Sequence, residues 1–354
     1  MVVWKRLGTI SDIGTGSNNR EDACENGLYP FYVRSKEVLR INTFLYNEEA
    51  ILIPGEGGIG EIFHYVNGKY GLHQRTYRVH PISKETRGRY LFYYLSENFG
   101  KYIEQKSYKS TAASIRKPML FDFPVAIPSL SEQTRIVGIL DTFTTSIENL
   151  KQQIAERRKQ YEHYRDQLLD LEGKEGVEMN CVAYFVKDRI LASELTAYNY
   201  TSVENLLKNK AGRKDAENVP TEGNWIKYQR GDVLIGNIRP YLRKIWLSDR
   251  DGGTNGDVIV VRCNDAMIPE FLYYCLASEK FFLYYNQALK DGKMPRGEKS
   301  RVLSYVIPSV EKEKQRQIVS ILNTFEASIA NLEAQLKQRE KQYEYYRNKL
   351  LTFE

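Results

Sequence analysis

The chain has 354 residues, 42% of them hydrophobic and 27% charged, with a net charge of +6. That length carries two or three domains with cores of their own, and the composition excludes a disordered chain. No apolar run approaches the ~18 residues of a membrane helix, and the opening MVVWKRLGTISDIG lacks a secretion signal's apolar stretch, so a cytoplasmic protein without a membrane partner is expected.

Residues 1–127 read as a domain of mixed strands and helices, α/β or α+β in class. AILIP (50–54) predicts a buried strand, and GEGGIG (55–60) behind it fits the dinucleotide-binding pattern G-x-G-x-x-G. Such a site needs a helix next, with its N-terminus facing the pyrophosphate. EIFHYVNGKYG follows instead, β-rich and closing on Asn67-Gly68, which predicts a hairpin and no cofactor. HQRTYRV (73–79) predicts a third strand, and RYLFYYLSENF (89–99) a short helix whose Tyr90, Tyr93 and Tyr94 belong to the core. A basic stretch with small hydroxyl residues comes next, SYKSTAASIRK (107–117).

Residues 128–172 change character. Ile136, Leu140, Phe143, Ile147, Leu150, Ile154, Arg157, Tyr161, Tyr164, Leu168 and Leu171 step by fours and threes, the 3.5-residue period of a coiled-coil seam. The helix so predicted is ~35 residues and ~50 Å long at 1.5 Å per residue. EGKEGVEMN (172–180) reads as a short polar linker into a second domain, 173–307. There DVLIG (232–236) and DVIVVR (257–262) predict strands, and EFLYYCLASEKF (270–281) a helix with Phe271 and Tyr274 in the core. IRPYLRK (238–244) and KDGKMPRGEKSR (290–301) are its basic loops.

Residues 308–354 repeat the first long helix. At an offset of 182 residues, 136–170 match 318–352 at 20 of 35 positions, and KQYEHYRDQLL returns as KQYEYYRNKLL. FPVAIPSL and SYVIPSV lead into the two copies at an offset of 180, which leaves two extra residues before the second helix. A narrow apolar stripe that long needs another helix as its partner. With so short a linker, pairing of the two copies within one chain is antiparallel and makes a pseudo-two-fold frame with a domain at each end; the alternative is a coil between two chains.

Charge is spread modestly: +4 over 1–130, −2 over 131–172, +3 over 173–310 and +1 over 311–354. The surplus sits on the domains, where Lys and Arg beside Ser and Thr suit phosphate contact and Arg can read guanine bidentately. The candidates for DNA contact, for each of which a solvated basic loop is the alternative reading, are Arg75, Lys106, Lys109, Ser110, Thr111 and Arg116 in the first domain. In the second they are Arg239, Tyr241, Arg243, Lys244, Lys290, Lys293 and Arg296. The four cysteines and four histidines have no zinc spacing, so buried free thiols and no metal are expected. GxxxxGK[ST], HExxH and GxSxG are missing, as is the Asn- or Asp-Pro-Pro-aromatic tetrapeptide of amino-methyltransferases.

Taken together, WKRLGTISDIGTG, PSLSEQ (128–133), the I-V-x-I-L blocks and the K-Q-Y-E-x-Y-R blocks resemble the specificity subunits of type I restriction–modification systems along the whole chain. The resemblance implies two target recognition domains, each reading one half of a split site in double-stranded DNA. It also implies a helical frame that spaces the halves and docks two modification methyltransferase subunits, with restriction subunits where these exist. Methyl transfer and S-adenosylmethionine would then belong to the partners, and this chain would be non-catalytic and hold no cofactor. Arg158, Gln160, Glu340 and Gln342 are the candidates for docking. The second domain lacks the Trp-x-x-Leu-Gly opener, so the domains diverge most at their N-terminal ends. The alternative reading is a coiled-coil scaffold or architectural DNA binder without sequence preference.

Overall fold

A computed structural model describes residues 2–107, 114–287, 289 and 294–353. The chain divides into two compact units, Met1–Gln152 with Glu333–Glu354, and Gln153–Leu332.

The first unit opens with β1 (Val3–Arg6), α1 (Leu7–Ile10), β2 (Ser11–Thr15), β3 (Tyr29–Tyr32), β4 (Val38–Ile41), β5 (Tyr46–Pro54), β6 (His64–Leu72) and β7 (Thr76–Pro81). Then come α2 (Gly88–Ser107), α3 (Lys117–Phe121), β8 (Pro124–Ile127) and the start of the long α4 (Leu130–Leu168). One sheet runs β2-β7-β5-β6-β3-β4, antiparallel except where β3 meets β6. Side chains of β5 alternate between faces, as a strand's must. Ile51 and Ile53 share a core with Tyr90, Tyr93 and Tyr94 of α2, while Ala50 and Leu52 pack with Val66 and Tyr70. The tyrosine stripe is therefore core, as the helical spacing predicted.

Asn67 and Gly68 are not a turn. They lie within β6, opposite Glu49 and Glu48 of β5. Pairing the full length of both strands buries Val66, Tyr70 and Leu72, and that burial outweighs the local turn preference of Asn-Gly. The hairpin turns instead at the glycine-rich segment after Pro54.

The second unit contains β9 (Gly176–Glu178), β10 (Ala183–Phe185), β11 (Arg189–Leu191), β12 (Asn224–Tyr228), β13 (Val233–Gly236), β14 (Ile245–Leu247), β15 (Gly252–Thr254) and β16 (Val258–Cys263). α5 (Pro269–Leu276), α6 (Glu279–Asn286), α7 (Lys299–Leu303), β17 (Val306–Pro308) and the long α8 (Lys312–Leu351) follow. Its sheet β10-β16-β13-β14 repeats the order β2-β7-β5-β6 of the first unit. What differs is the remainder: β3 and β4 extend the first sheet, whereas β11-β12-β15 form a sheet of their own. The predicted single helix over 270–281 is two helices. It breaks at Ala277, and the Ser278 hydroxyl caps α6 by accepting from the Phe281 N–H at 3.1 Å.

The segment expected to be a linker is structured. β9 pairs with β17 as β1 pairs with β8, and Met179, wholly buried, takes the place of Leu7. Met179 N–H donates to Tyr305 O at 3.0 Å, as Leu7 N–H does to Phe123 O at 2.8 Å. The opener missing from the second domain's sequence is thus present in its backbone.

α4 and α8 have 39 and 40 residues, longer than predicted and ~60 Å each by the helical rise. Their first residues stand 182 apart, so the two extra residues are absorbed before α8 without shifting it. Within the first unit the helices pair antiparallel: Phe143 packs on Tyr343 and Tyr346, and Lys151 pairs with Glu340 at 3.3 Å. Within the second, Leu168 and Leu169 share a core with Ile318 and Leu322, while Tyr161 donates to Glu326 at 2.8 Å. Tyr164 and Tyr346, predicted in the seam, are 46% and 39% exposed and lie flat on Phe325 and Phe143 at the seam's edge.

Each unit carries the same helix-to-domain latch. Gln133, fully buried, donates to Glu85 O and Pro128 O at 2.8 and 2.9 Å and accepts from Arg87 N–H at 2.9 Å. Gln315, 182 residues later, donates to Ala266 O and Val310 O and accepts from Ile268 N–H at 2.8 Å. Of the expected buried thiols only Cys275 is buried; Cys24 and Cys263 are partly so, and Cys181 is exposed at the end of a 3-10 turn.

Candidate nucleic-acid interface

In the first unit three loops are joined at Gly55. Its N–H donates to Arg75 O at 2.9 Å, and its carbonyl accepts from Ile115 N–H at 2.8 Å. The β5–β6 loop, the β6–β7 turn and the entry to α3 therefore meet at one residue. Gly57, Gly58 and Gly60 have φ of +70°, +81° and +74°, conformations open to glycine at little cost. They let the chain reverse directly into β6, so the glycines are followed by a strand and not by the helix that the dinucleotide fingerprint would require.

The charged groups of this loop cluster are tightly arranged. Glu56 accepts from the guanidinium of Arg75 at 2.9 Å and of Arg34 at 3.0 Å. The hydrogen bond from Arg75, with that from Arg34, holds its carboxyl below the usual range. His73 is buried and its Nδ1 accepts from the Arg75 N–H at 3.0 Å. Burial first, then the two arginines, depress its pKa, so it is neutral at pH 7. Arg20, Val33, Ser35 and Gly57 complete a cleft of about 250 Å³.

The second unit repeats the frame at an offset of 182. Asn237 N–H donates to Asp257 O at 2.8 Å, and Asn237 O accepts from Gly297 N–H at 3.1 Å. Residues 55, 75 and 115 thus become 237, 257 and 297. The side chains differ. Arg239 and Arg243 both have positive φ, +51° and +53°, on either side of a 3-10 turn over Pro240–Leu242. Arg239 N–H is held by Pro295 O at 2.8 Å, and Arg243 O by Lys210 N–H at 2.9 Å. The Arg243 guanidinium donates to Glu279 at 2.7 Å, and Lys244 donates its ammonium inward to Val203 O at 2.5 Å, where burial lowers its pKa. Tyr241, 50% exposed, forms the tip.

The predicted contact residues therefore gather in two places. Arg75 and exposed Arg116, the residue after Ile115, flank the first unit's loop junction; Lys106 lies at the end of α2 with its ammonium 5.0 Å over the Tyr102 ring. Arg239, Tyr241, Arg243 and Lys244 share one loop, and Arg296 joins it through the Ile238–Arg296 bridge while pairing with Asp257 at 2.9 Å. Lys109, Ser110, Thr111, Lys290 and Lys293 lie outside the described residues. Arg34, Glu56 and Lys210 were missed. Extending the helices' 182-residue offset back into the domains would have aligned the loop junctions, but little residue identity survives there to suggest it.

The docking candidates divide between the units. Gln160 accepts from Arg157 at 3.2 Å and lines a groove with Tyr164, Gln167, Leu168, Ile321 and Phe325 in the second unit; Arg158 is exposed there too. Glu340, paired with Lys151, and half-buried Gln342 belong to the first.

A duplicated recognition-type domain, with a long helix closing each copy, defines a class, and comparison with known proteins gives its family. The model described as "Type I restriction modification DNA specificity domain" matches residues 1–157 and again 179–341. The chain belongs to the type I restriction–modification DNA specificity family. It is 24% identical to the type I restriction enzyme EcoDI specificity subunit of Escherichia coli, covering 95% of this chain and 84% of that one. It is 25% identical to a putative type I restriction enzyme specificity subunit of Haemophilus influenzae, covering 99% and 96%. In fold it is similar to the crystal structure of an S subunit from M. genitalium, with a TM-score of 0.67, 16% identity, and 100% and 97% of the chains covered. A structure reported for assembly and conformational transition of the type I R-M system matches at a TM-score of 0.58 and 13% identity, over 99% and 96%.

Proposed function

We propose that this chain is the DNA-recognition subunit of a type I restriction–modification complex, working in the cytoplasm. Each domain lays its loop cluster on one half of a split duplex site. One observation carries this beyond family membership: the same backbone frame, residues 55, 75 and 115 repeated at 237, 257 and 297, holds unlike side chains. A shared frame with different tips suits two readers of different half-sites, since phosphate contacts position and side chains at base edges specify. Methyl transfer, with its S-adenosylmethionine, belongs to two modification subunits, and cleavage to restriction subunits where these are present. The groove beside Gln160, with half-exposed Tyr164 and Ile321, takes one modification subunit. Its repeat around Phe143, Tyr346 and Gln342 takes the other.

The test is selection from a randomised DNA library with the purified complex. Enrichment of one bipartite site is expected, and a flat library would favour the scaffold reading. Calorimetry of this chain alone with S-adenosylmethionine should show no binding heat. Arg116→Ala should weaken binding about equally across sequences and reduce the slope of log affinity against log salt by about one, as loss of one phosphate contact does.

Because α4 and α8 run unbroken, the gap between half-sites should follow their length. Seven residues inserted into both helices, after Gln152 and before Glu333, keep the heptad and add ~10 Å. The preferred gap should lengthen by about one to three base pairs, at ~3.4 Å each, with both half-sites unchanged. New half-sites at the old gap would refute this.

A further inference from the structure

The loop at the second unit's junction is built unlike its counterpart. All four non-glycine residues with positive φ among the described residues, Asn209, Lys210, Arg239 and Arg243, fall in two segments that touch there. Backbone of this kind is sparsely populated and persists only where surrounding contacts enforce it. Those contacts are present. Leu242 N–H donates to Arg239 O and Arg243 N–H to Pro240 O, closing the turn at 2.9 and 2.8 Å. Pro240 is buried beneath it, and Glu279 at the start of α6 holds Arg243 at 2.7 Å and Lys210 at 3.6 Å.

This rigid base presents an apolar tip. The Tyr241 ring is half exposed and has no hydrogen-bond or ring partner among the described residues. Met294, 58% exposed, precedes Pro295, whose carbonyl holds Arg239 N–H. Proteins that kink DNA use such side chains as wedges between base steps, and aromatic rings stack on unstacked bases.

We propose that Tyr241, flanked by Met294, is a wedge that inserts at a base step of the half-site read by the second domain. Specificity there would come partly from how readily that step unstacks, which favours pyrimidine–purine steps. In the first unit Glu56 lies between two arginines at the corresponding loop, and partly buried Ile59 stands at the position of Tyr241; among the described residues no exposed aromatic tip is present there, and that domain reads without a wedge. The proposal rests on the recognition reading above and names a residue that acts in it.

The complex with its modification subunits is used, on the site enriched from the library, with 2-aminopurine placed at successive positions of each half-site. A rise at the base to be methylated, common to all variants, marks extrusion by the partner and is set aside. A second rise of several-fold is expected in one half-site with the parent chain and with Tyr241→Phe. Tyr241→Ala should abolish it and weaken binding about 10- to 100-fold, the scale of one lost stacking contact. Absence of the second rise, its survival in Tyr241→Ala, or equal loss in Tyr241→Phe, which would assign the role to the hydroxyl, each overturns the wedge. A library with no enriched site would overturn the recognition reading first, so the two failures are distinct.

Discussion

Removal of residues 343–354 should unfold the first unit while leaving the second intact. Leu351, wholly buried, lies in the same core as Tyr90, Phe99 and Phe123, with Tyr343, Leu350 and Phe353 packed around it. Losing one buried Leu costs about 2–5 kcal/mol. The truncation also takes Arg347, whose guanidinium donates to the buried Glu97 at 2.5 Å, and the Leu351 carbonyl that Asn98 binds at 3.1 Å. Stripping a buried carboxylate of its partner costs about 3–5 kcal/mol; Lys101 remains on Glu97 and softens that loss. The total rivals the ~5–15 kcal/mol of a whole domain. Hydrogen exchange should show α2 amides losing protection while β13 and β16 keep theirs. An α2 that exchanges as slowly as in the full chain would contradict the assignment of the C-terminal turns to this core.

The second large effect is expected at the glutamine latch. Gln133→Met keeps volume and helix propensity but leaves Arg87 N–H, Glu85 O and Pro128 O without their partner. Each buried group stripped in this way costs about 1–3 kcal/mol, so a loss of roughly 3–5 kcal/mol in the first unit is expected from denaturant unfolding. Gln315→Met should do the same in the second unit, through Ile268, Ala266 and Val310. Glu132→Ala, one residue away, removes only the partly exposed pair with Arg135 and should cost under about 1 kcal/mol. Equal losses for Gln133→Met and Glu132→Ala would mean that the latch contributes no more than an exposed ion pair.

Both predictions concern residues of the long helices, where the sequence was easiest to read. A 3.5-residue period and an offset of 182 located both helices, because a seam must repeat its apolar positions to stay in contact, and the short connection between the copies gave their antiparallel direction. The same logic found the tyrosines of α2. It failed where the environment was not periodic. Asn67-Gly68 looks like a turn because local preference was all there was to weigh, whereas β5 and β6 gain more by pairing through it. Met179 went unnoticed in a stretch taken for a linker, because a three-residue strand has no pattern long enough to detect.

The candidate interface was half legible. Arg and Lys in loops pointed to the right segments, since basic side chains on loops are visible in composition. Which of them face outward was not. Lys244 turns in to Val203 O and Arg243 is held by Glu279, and Arg34 meets Arg75 across Glu56 from a loop some forty residues earlier. Such pairings depend on which loops the sheet order brings together.

The sequence by itself determined the duplication, the helices and their register, and the family resemblance. Each of these rests on residue identity repeated at fixed spacing. Only the tertiary structure decided that residues 55, 75 and 115 correspond to 237, 257 and 297, and that the last turns of α8 complete the core of the first unit. The physical reason is that those correspondences are carried by backbone hydrogen bonds and burial, which constrain position in space while leaving side chains free to differ.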